Sequence, residues 1–152
     1  MMKKIIYILL PILLIFNSCS KDYTPSNYYP DEEDGIGAFF PDSIGIWGAD
    51  INLDWINDSS KSITAIYGDT NISYQIVLLS NSTYGKKIIK KKFLPNFRGY
   101  RLKKKKSGFD YIAENKKDII LVWQNIDYVF RIQFNKEIEQ MAIDSCYFVE
   151  YK

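Results

Sequence analysis

Hydrophobic and polar positions are most informative over residues 119–134. Ile119-Ile120-Leu121-Val122-Trp123 is apolar at every position, which predicts a central strand buried on both faces. A tight turn at Asn125-Ile126-Asp127 follows. Tyr128, Phe130, Ile132 and Phe134 then alternate with Val129, Arg131 and Gln133, the period-2 pattern of a second strand. Upstream, Asp50-Ile51-Asn52-Leu53-Asp54-Trp55 alternates polar and apolar residues and predicts a half-buried strand. Two more strands, 63–67 and 72–79, are joined by the hairpin turn Gly68-Asp69-Thr70-Asn71. Residues 100–103 and 109–113 predict a further hairpin turning at Ser107-Gly108.

Two stretches change to helical spacing. Ser80-Asn81-Ser82-Thr83 breaks the strand before it and offers an N-cap for a helix running to about Phe93. Tyr84, Ile88 and Ile89 lie on one side of that helix, fringed by Lys86, Lys87, Lys90 and Lys91, and Pro95 and Gly99 end it. Asn135 caps a last helix whose stripe is Ile138, Met141, Ala142, Ser145 and Val149, with Cys146 beside Ala142. That places Cys146 in the core. Asp42-Ser43-Ile44 is read as capping a short helical turn where the folded domain begins, near Phe39-Phe40-Pro41. The order of strands, helix, strands and helix predicts an α+β domain: a mainly antiparallel β-sheet of about six or seven strands, with a mid-chain helix and a C-terminal helix packed on it. This order loosely resembles PsbP-like domains, which occur in bacterial lipoproteins among other places; the likeness carries no motif and therefore no site residues.

The N-terminus has a different pattern. Lys3 and Lys4 precede an apolar run, residues 5–16, that contains Pro11. A spanning helix needs roughly 20 apolar residues, so this run predicts the core of an export signal. Phe16-Asn17-Ser18-Cys19 resembles a bacterial lipobox, which implies cleavage before Cys19 and lipidation of its thiol, with a palmitate among the acyl chains. Ordinary cleavage after Ser18-Cys19-Ser20, small at both required positions, is the alternative. The chain divides accordingly: 1–18 is a signal peptide, 19–35 a lipidated Cys with a flexible acidic tether, and 36–152 a single globular domain. The tether contains Pro25, Pro30 and the run Asp31-Glu32-Glu33-Asp34, with almost no aliphatic side chain, too little to order itself. Ser20 after the Cys implies release to the outer membrane. Ser20-Lys21-Asp22 also resembles the short signal that sends Bacteroidota lipoproteins to the cell surface.

Composition removes most catalytic chemistry. The chain has no histidine, which excludes Ser-His-Asp and Cys-His nucleophilic sites and His-based zinc sites. No glycine-rich phosphate loop occurs. Asp50, Asn52 and Asp54 mimic the start of a calcium loop, but Trp55 stands where glycine is needed and Lys61 where the bidentate Glu should be. Asp50, Asp54, Asp69 and Asp118 are carboxylates that read as solvated strand or turn residues. No enzyme, cofactor or metal is expected.

Charge supplies the one anomaly. The whole chain is nearly neutral, with 20 Lys and Arg against 18 Asp and Glu. Between Lys86 and Lys106, however, stand eleven Lys and Arg and no acid. Runs of charge are usually solvated faces. This run also carries Phe97, Arg98, Tyr100 and Arg101, a mixture of aromatic anchors and cations that suits a protein interface. The expected partner-binding residues are Lys86, Lys87, Lys90, Lys91, Phe97, Arg98, Tyr100, Arg101, Lys103, Lys104, Lys105 and Lys106. The expected function is a lipid-anchored, non-catalytic envelope lipoprotein that binds a protein with an acidic surface, for example as a toxin-immunity protein or an accessory subunit. A module for envelope glycans or lipid head groups that uses the same segment is the alternative; nucleic acid is not an expected partner.

Overall fold

The computed structural model describes residues 23–26, 39–57, 60–69 and 71–151. The export-signal and lipobox readings therefore lie outside the described residues, as does most of the acidic tether. In chain order the strands are β1 (Tyr23–Pro25), β2 (Ser43–Ile44), β3 (Trp47–Gly48), β4 (Asp50–Asn57), β5 (Ser60–Tyr67), β6 (Ile72–Leu79), β7 (Arg101–Lys106), β8 (Phe109–Glu114), β9 (Asp118–Asn125), β10 (Tyr128–Asn135) and β11 (Val149–Tyr151). Seven of them form one antiparallel sheet in the order β4-β5-β6-β10-β9-β8-β7. The fold is α+β, as the alternating patterns predict.

The connectivity explains the two-sided burial of the middle strands. A helical segment carries the chain from β6 to the far edge at β7. The hairpins β7–β8, β8–β9 and β9–β10 then bring it back until β10 docks beside β6. Along β9, Ile119 to Trp123 are all buried. Their alternate side chains enter two cores. One holds Trp123, Phe130, Phe109, Tyr74 and Phe134 under Phe39, Phe40, Ile44, Ala142, Ile143 and Phe148. The other holds Ile120, Val122, Val77 and Val129 under Ile89, Phe93 and Phe97.

Four expectations are corrected. Asp42-Ser43-Ile44 does not cap a helical turn: Ser43 and Ile44 pair with Gly48 and Trp47 in a short ribbon, because extended backbone lets Ile44 reach the core, where it is fully buried. Strand β4 is an edge strand, and Ile51 and Leu53 are 43% and 54% exposed; among the described residues no strand pairs with its outer margin. The last helix, α2 (Glu139–Asp144), is short, so Val149 lies not on it but in β11. Finally, Tyr23–Pro25 is not loose tether, since it pairs with Val149–Tyr151.

Cys146 is the free thiol of this core, and it is buried. Burial pushes its pKa up from 9.0 to about 12, against the opposing backbone hydrogen bonds of Phe148 and Val149. Burial likewise raises Tyr67 and Tyr74; Tyr74 donates to the Ala142 carbonyl at 2.5 Å. Each of these groups is neutral in the fold and ionises more easily once unfolded. Their stabilisation is therefore complete below pH 9 and is lost progressively as pH rises through 9 to 12. Denaturant titrations should show a plateau up to about pH 8 and a fall above 9, and the native thiol should react orders of magnitude more slowly than the denatured one. Equal labelling rates for native and denatured protein would contradict this burial.

Candidate functional site

The basic run folds into two adjoining pieces. After the cap at Asn81, whose side chain accepts from the Thr83 amide at 2.9 Å, the chain makes a 3-10 turn (Ser82–Tyr84), α1 (Gly85–Ile88), a π turn (Ile89–Phe93) and a second 3-10 turn (Leu94–Phe97). The spacing of Ile89, Phe93 and Phe97 accounts for this mixture. Side chains four apart drift round a 3.6-residue helix, and the wider π turn followed by a tight one keeps all three on the sheet. All three are buried. Lys86, Lys87, Lys90, Lys91 and Lys92 occupy the opposite, exposed side. Lys86–Lys90 and Lys87–Lys91 are like-charge pairs at i,i+4, each unfavourable by a few tenths of a kcal/mol. No acid stands in the first turn to offset them. The segment is held by its buried face, not by its charges.

The second piece is edge strand β7. Its register places Leu102 opposite Ala113 and Lys104 opposite Tyr111, on the face that the helical segment covers. Arg101 and Lys103 point to the other face, opposite Glu114 and Ile112. Lys104, Lys105, Lys106, Arg98 and Arg101 are exposed. Lys103 is half-buried and pairs with Glu114 at 2.7 Å; this hydrogen bond, partly opposed by burial, holds the Glu114 carboxyl below its usual range. Two predicted contacts fare differently. Phe97 is only 6% exposed, so it anchors the segment to the core and offers no surface to a partner. Tyr100 is half-buried, 6.4 Å from Phe97 between ring centroids, and donates to Asp118 at 3.3 Å. Burial, then the Asp118 carboxylate, raises its pKa.

The fold adds three cations that lie outside the run. Asn115 accepts from the amides of Lys117 and Asp118 at 2.7 Å each, and this turn presents Lys116 and Lys117. Lys136 reaches the Asn115 carbonyl at 2.7 Å and lies 3.9 Å from Glu114. Together with Arg101 and the Glu114 carboxylate they line an open groove of about 810 Å³. The adjacent pair Lys116-Lys117 was its only local signal; bringing Lys136 to it requires the β8–β9–β10 order.

A polar cluster on the sheet face beyond the helical segment also escaped the sequence. Asp54, itself exposed, lies at a register shift between Leu53 and Trp55. It accepts from Ser62 at 3.2 Å, from Gln75 at 3.1 Å and from Thr64, and Gln75 also donates to Ser62 at 2.8 Å. Arg131, opposite Gln75 on the adjacent strand β10, donates to Gln133. Burial lowers the Arg131 pKa, against the pull of Tyr100 and Asp54. These groups satisfy one another, and the Asp54 oxygen they share is committed to them. Among the described residues no three His, Cys, Asp or Glu side chains gather at metal-binding distance, and no helix is long and apolar enough to cross a membrane. No protein-family profile, curated protein or solved structure matches the chain.

Proposed function

We propose that this chain is a lipid-anchored, non-catalytic envelope module that binds a protein with an acidic surface. The observation that supports it best is the exposed basic face: Lys86, Lys87, Lys90, Lys91 and Lys92 on the helical segment, with Arg98 directly after it. A purely solubilising surface would interleave both signs. Here eleven cations stand without one acid, on a segment whose like-charge spacing works against its own helix. Such a field raises encounter rates with an oppositely charged partner. Absence of histidine and the mutual satisfaction of the Asp54 cluster support a binding role over catalysis. Cys19 carries the acyl anchor and the outer membrane is the address. An immunity protein against a toxin, or an accessory subunit of an envelope complex, fits this description. The open groove lined by Arg101, Lys116, Lys117 and Lys136 favours a second reading, an acidic glycan as ligand.

Both parts are testable together. Cys19→Ala should move the protein from the membrane to the soluble fraction, since stable anchoring takes at least two acyl chains. Capture from envelope extracts at low salt should yield a protein partner. Reversing Lys86, Lys87, Lys90 and Lys91 to Glu should slow its association about tenfold or more and flatten the salt dependence. Arg98→Ala should speed dissociation. A partner that binds the charge-reversed variant at unchanged rates refutes the basic-face reading; displacement by a soluble polyanionic glycan alone favours the second.

A further inference from the structure

We infer that the pole of the sheet carrying the β7–β8 and β9–β10 turns is a membrane-contact surface, with Lys104, Lys105 and Lys106 on anionic phospholipid headgroups and Ile126 in the interface. The inference rests on the lipid-anchor reading of Cys19 and deepens it. Cys19 precedes β1 by only four residues, a span of at most about 14 Å. Strand β1 is pinned to β11, and Ser26 donates its amide to the Phe148 carbonyl at 2.9 Å. The same strand abuts the β7–β8 turn: a Cβ on Gly108 would lie 2.8 Å from Pro25 Cδ and 3.9 Å from Thr24 Oγ1. An acylated Cys19 is thus tied within about 21 Å of Pro25, which abuts that turn, at full extension of the six Cα–Cα steps from Cys19 to Pro25.

The residues at this pole suit the location. Lys104, Lys105 and Lys106 are exposed, and Lys105, Ser107 and Gly108 all have positive φ (47°, 54° and 88°), which curls the end of the hairpin. The β9–β10 turn shares the pole, because antiparallel pairing of Tyr111 with Val122 brings the start of β8 beside the end of β9. At its tip Ile126 is 62% exposed with a φ of 46°. A β-branched residue in the left-handed region is strained, and asparagine or glycine would suit a water-facing turn better. Among the described residues three acids stand on this side. The Asp110 carboxylate accepts from the Gln124 amide at 3.0 Å, while Asp127 and Glu150 are exposed. Each lysine near an anionic surface strengthens binding about fivefold, so the three give roughly a hundredfold before Asp127 and Glu150 subtract their share.

The test uses the acylated full chain, with acylation at Cys19 first established by intact mass, in vesicles of phosphatidylcholine with or without phosphatidylglycerol. A nitroxide is placed at Ser107→Cys or Lys90→Cys in a Cys146→Ala background, and its depth is read with oxygen and a water-soluble nickel chelate. The Ser107 label should sit at headgroup depth when phosphatidylglycerol is present and retreat to water in Lys104→Glu/Lys105→Glu/Lys106→Glu. The Lys90 label should stay in water throughout. A Ser107 label in water on an acylated chain overturns the inference and leaves the anchor intact. An unacylated chain overturns the anchor and this inference with it. Burial of Ser107 only on adding a captured protein partner assigns the tip to the protein interface and overturns the membrane contact.

Discussion

Phe130→Ala should destabilise the domain by about 3–5 kcal/mol, the range for truncating a large aromatic in a packed core. Phe130 lies on β10, the middle strand of the seven. Its ring stacks on Trp123 at 4.8 Å and lies 5.0 Å from Phe148, while Trp123 meets Phe109 edge-on at 5.2 Å. The four rings therefore connect three neighbouring strands to the segment after α2. Removing the central one opens a cavity that rigid aromatic neighbours cannot close. For a domain of this size the melting temperature should fall by roughly 10–20 °C, measured by circular dichroism. A loss below about 1 kcal/mol would mean that the stack does not organise the core.

Gly68→Ala should cost about 2–4 kcal/mol, although it adds a single methyl. Gly68 has a φ of 59°, where an L side chain is strained by about 1 kcal/mol. The added Cβ would lie 2.6 Å from Trp47 Cδ2, so the indole must move off the β5–β6 turn, and overpacking of this kind adds about 1–3 kcal/mol. The two contributions separate in a double-mutant cycle. With Trp47→Ala as background, Gly68→Ala should retain only the backbone part, about 1 kcal/mol. Equal costs in both backgrounds would remove the indole from the explanation.

What could be read from the sequence follows from how locally each feature is determined. Strands β9 and β10 and the cap at Asn81 were legible because periodicity and capping are properties of neighbouring residues. Val149 misled because Ala142, Ser145 and Val149 satisfy helical spacing by coincidence, and a three-residue strand has no period of its own. Strand β1 was invisible for the same reason: Tyr-Thr-Pro gains its ladder from residues at the other end of the chain. Phe97 misleads because cations surround it in the sequence and Pro95 signals a helix end before it. In the fold Pro95 opens a 3-10 turn that carries Phe97 onto the sheet. Asp54 was legible as a carboxylate but not as a hydrogen-bonded one, since its partners Ser62, Thr64 and Gln75 depend on strand order.

The pairing of β1 with β11 also bears on the order in which the chain folds. Thr24 pairs with Glu150, so the contact closes a loop of 126 residues (150 − 24). From an open chain that closure would cost about 4 kcal/mol in entropy, more than three residue pairs return. The pairing can form only after the sheet has brought both ends together. Contacts of such long sequence separation form late in folding. If Cys19 is acylated as proposed, the strand nearest the anchor is among the last to be fixed, and attachment would precede the rigid orientation of the domain.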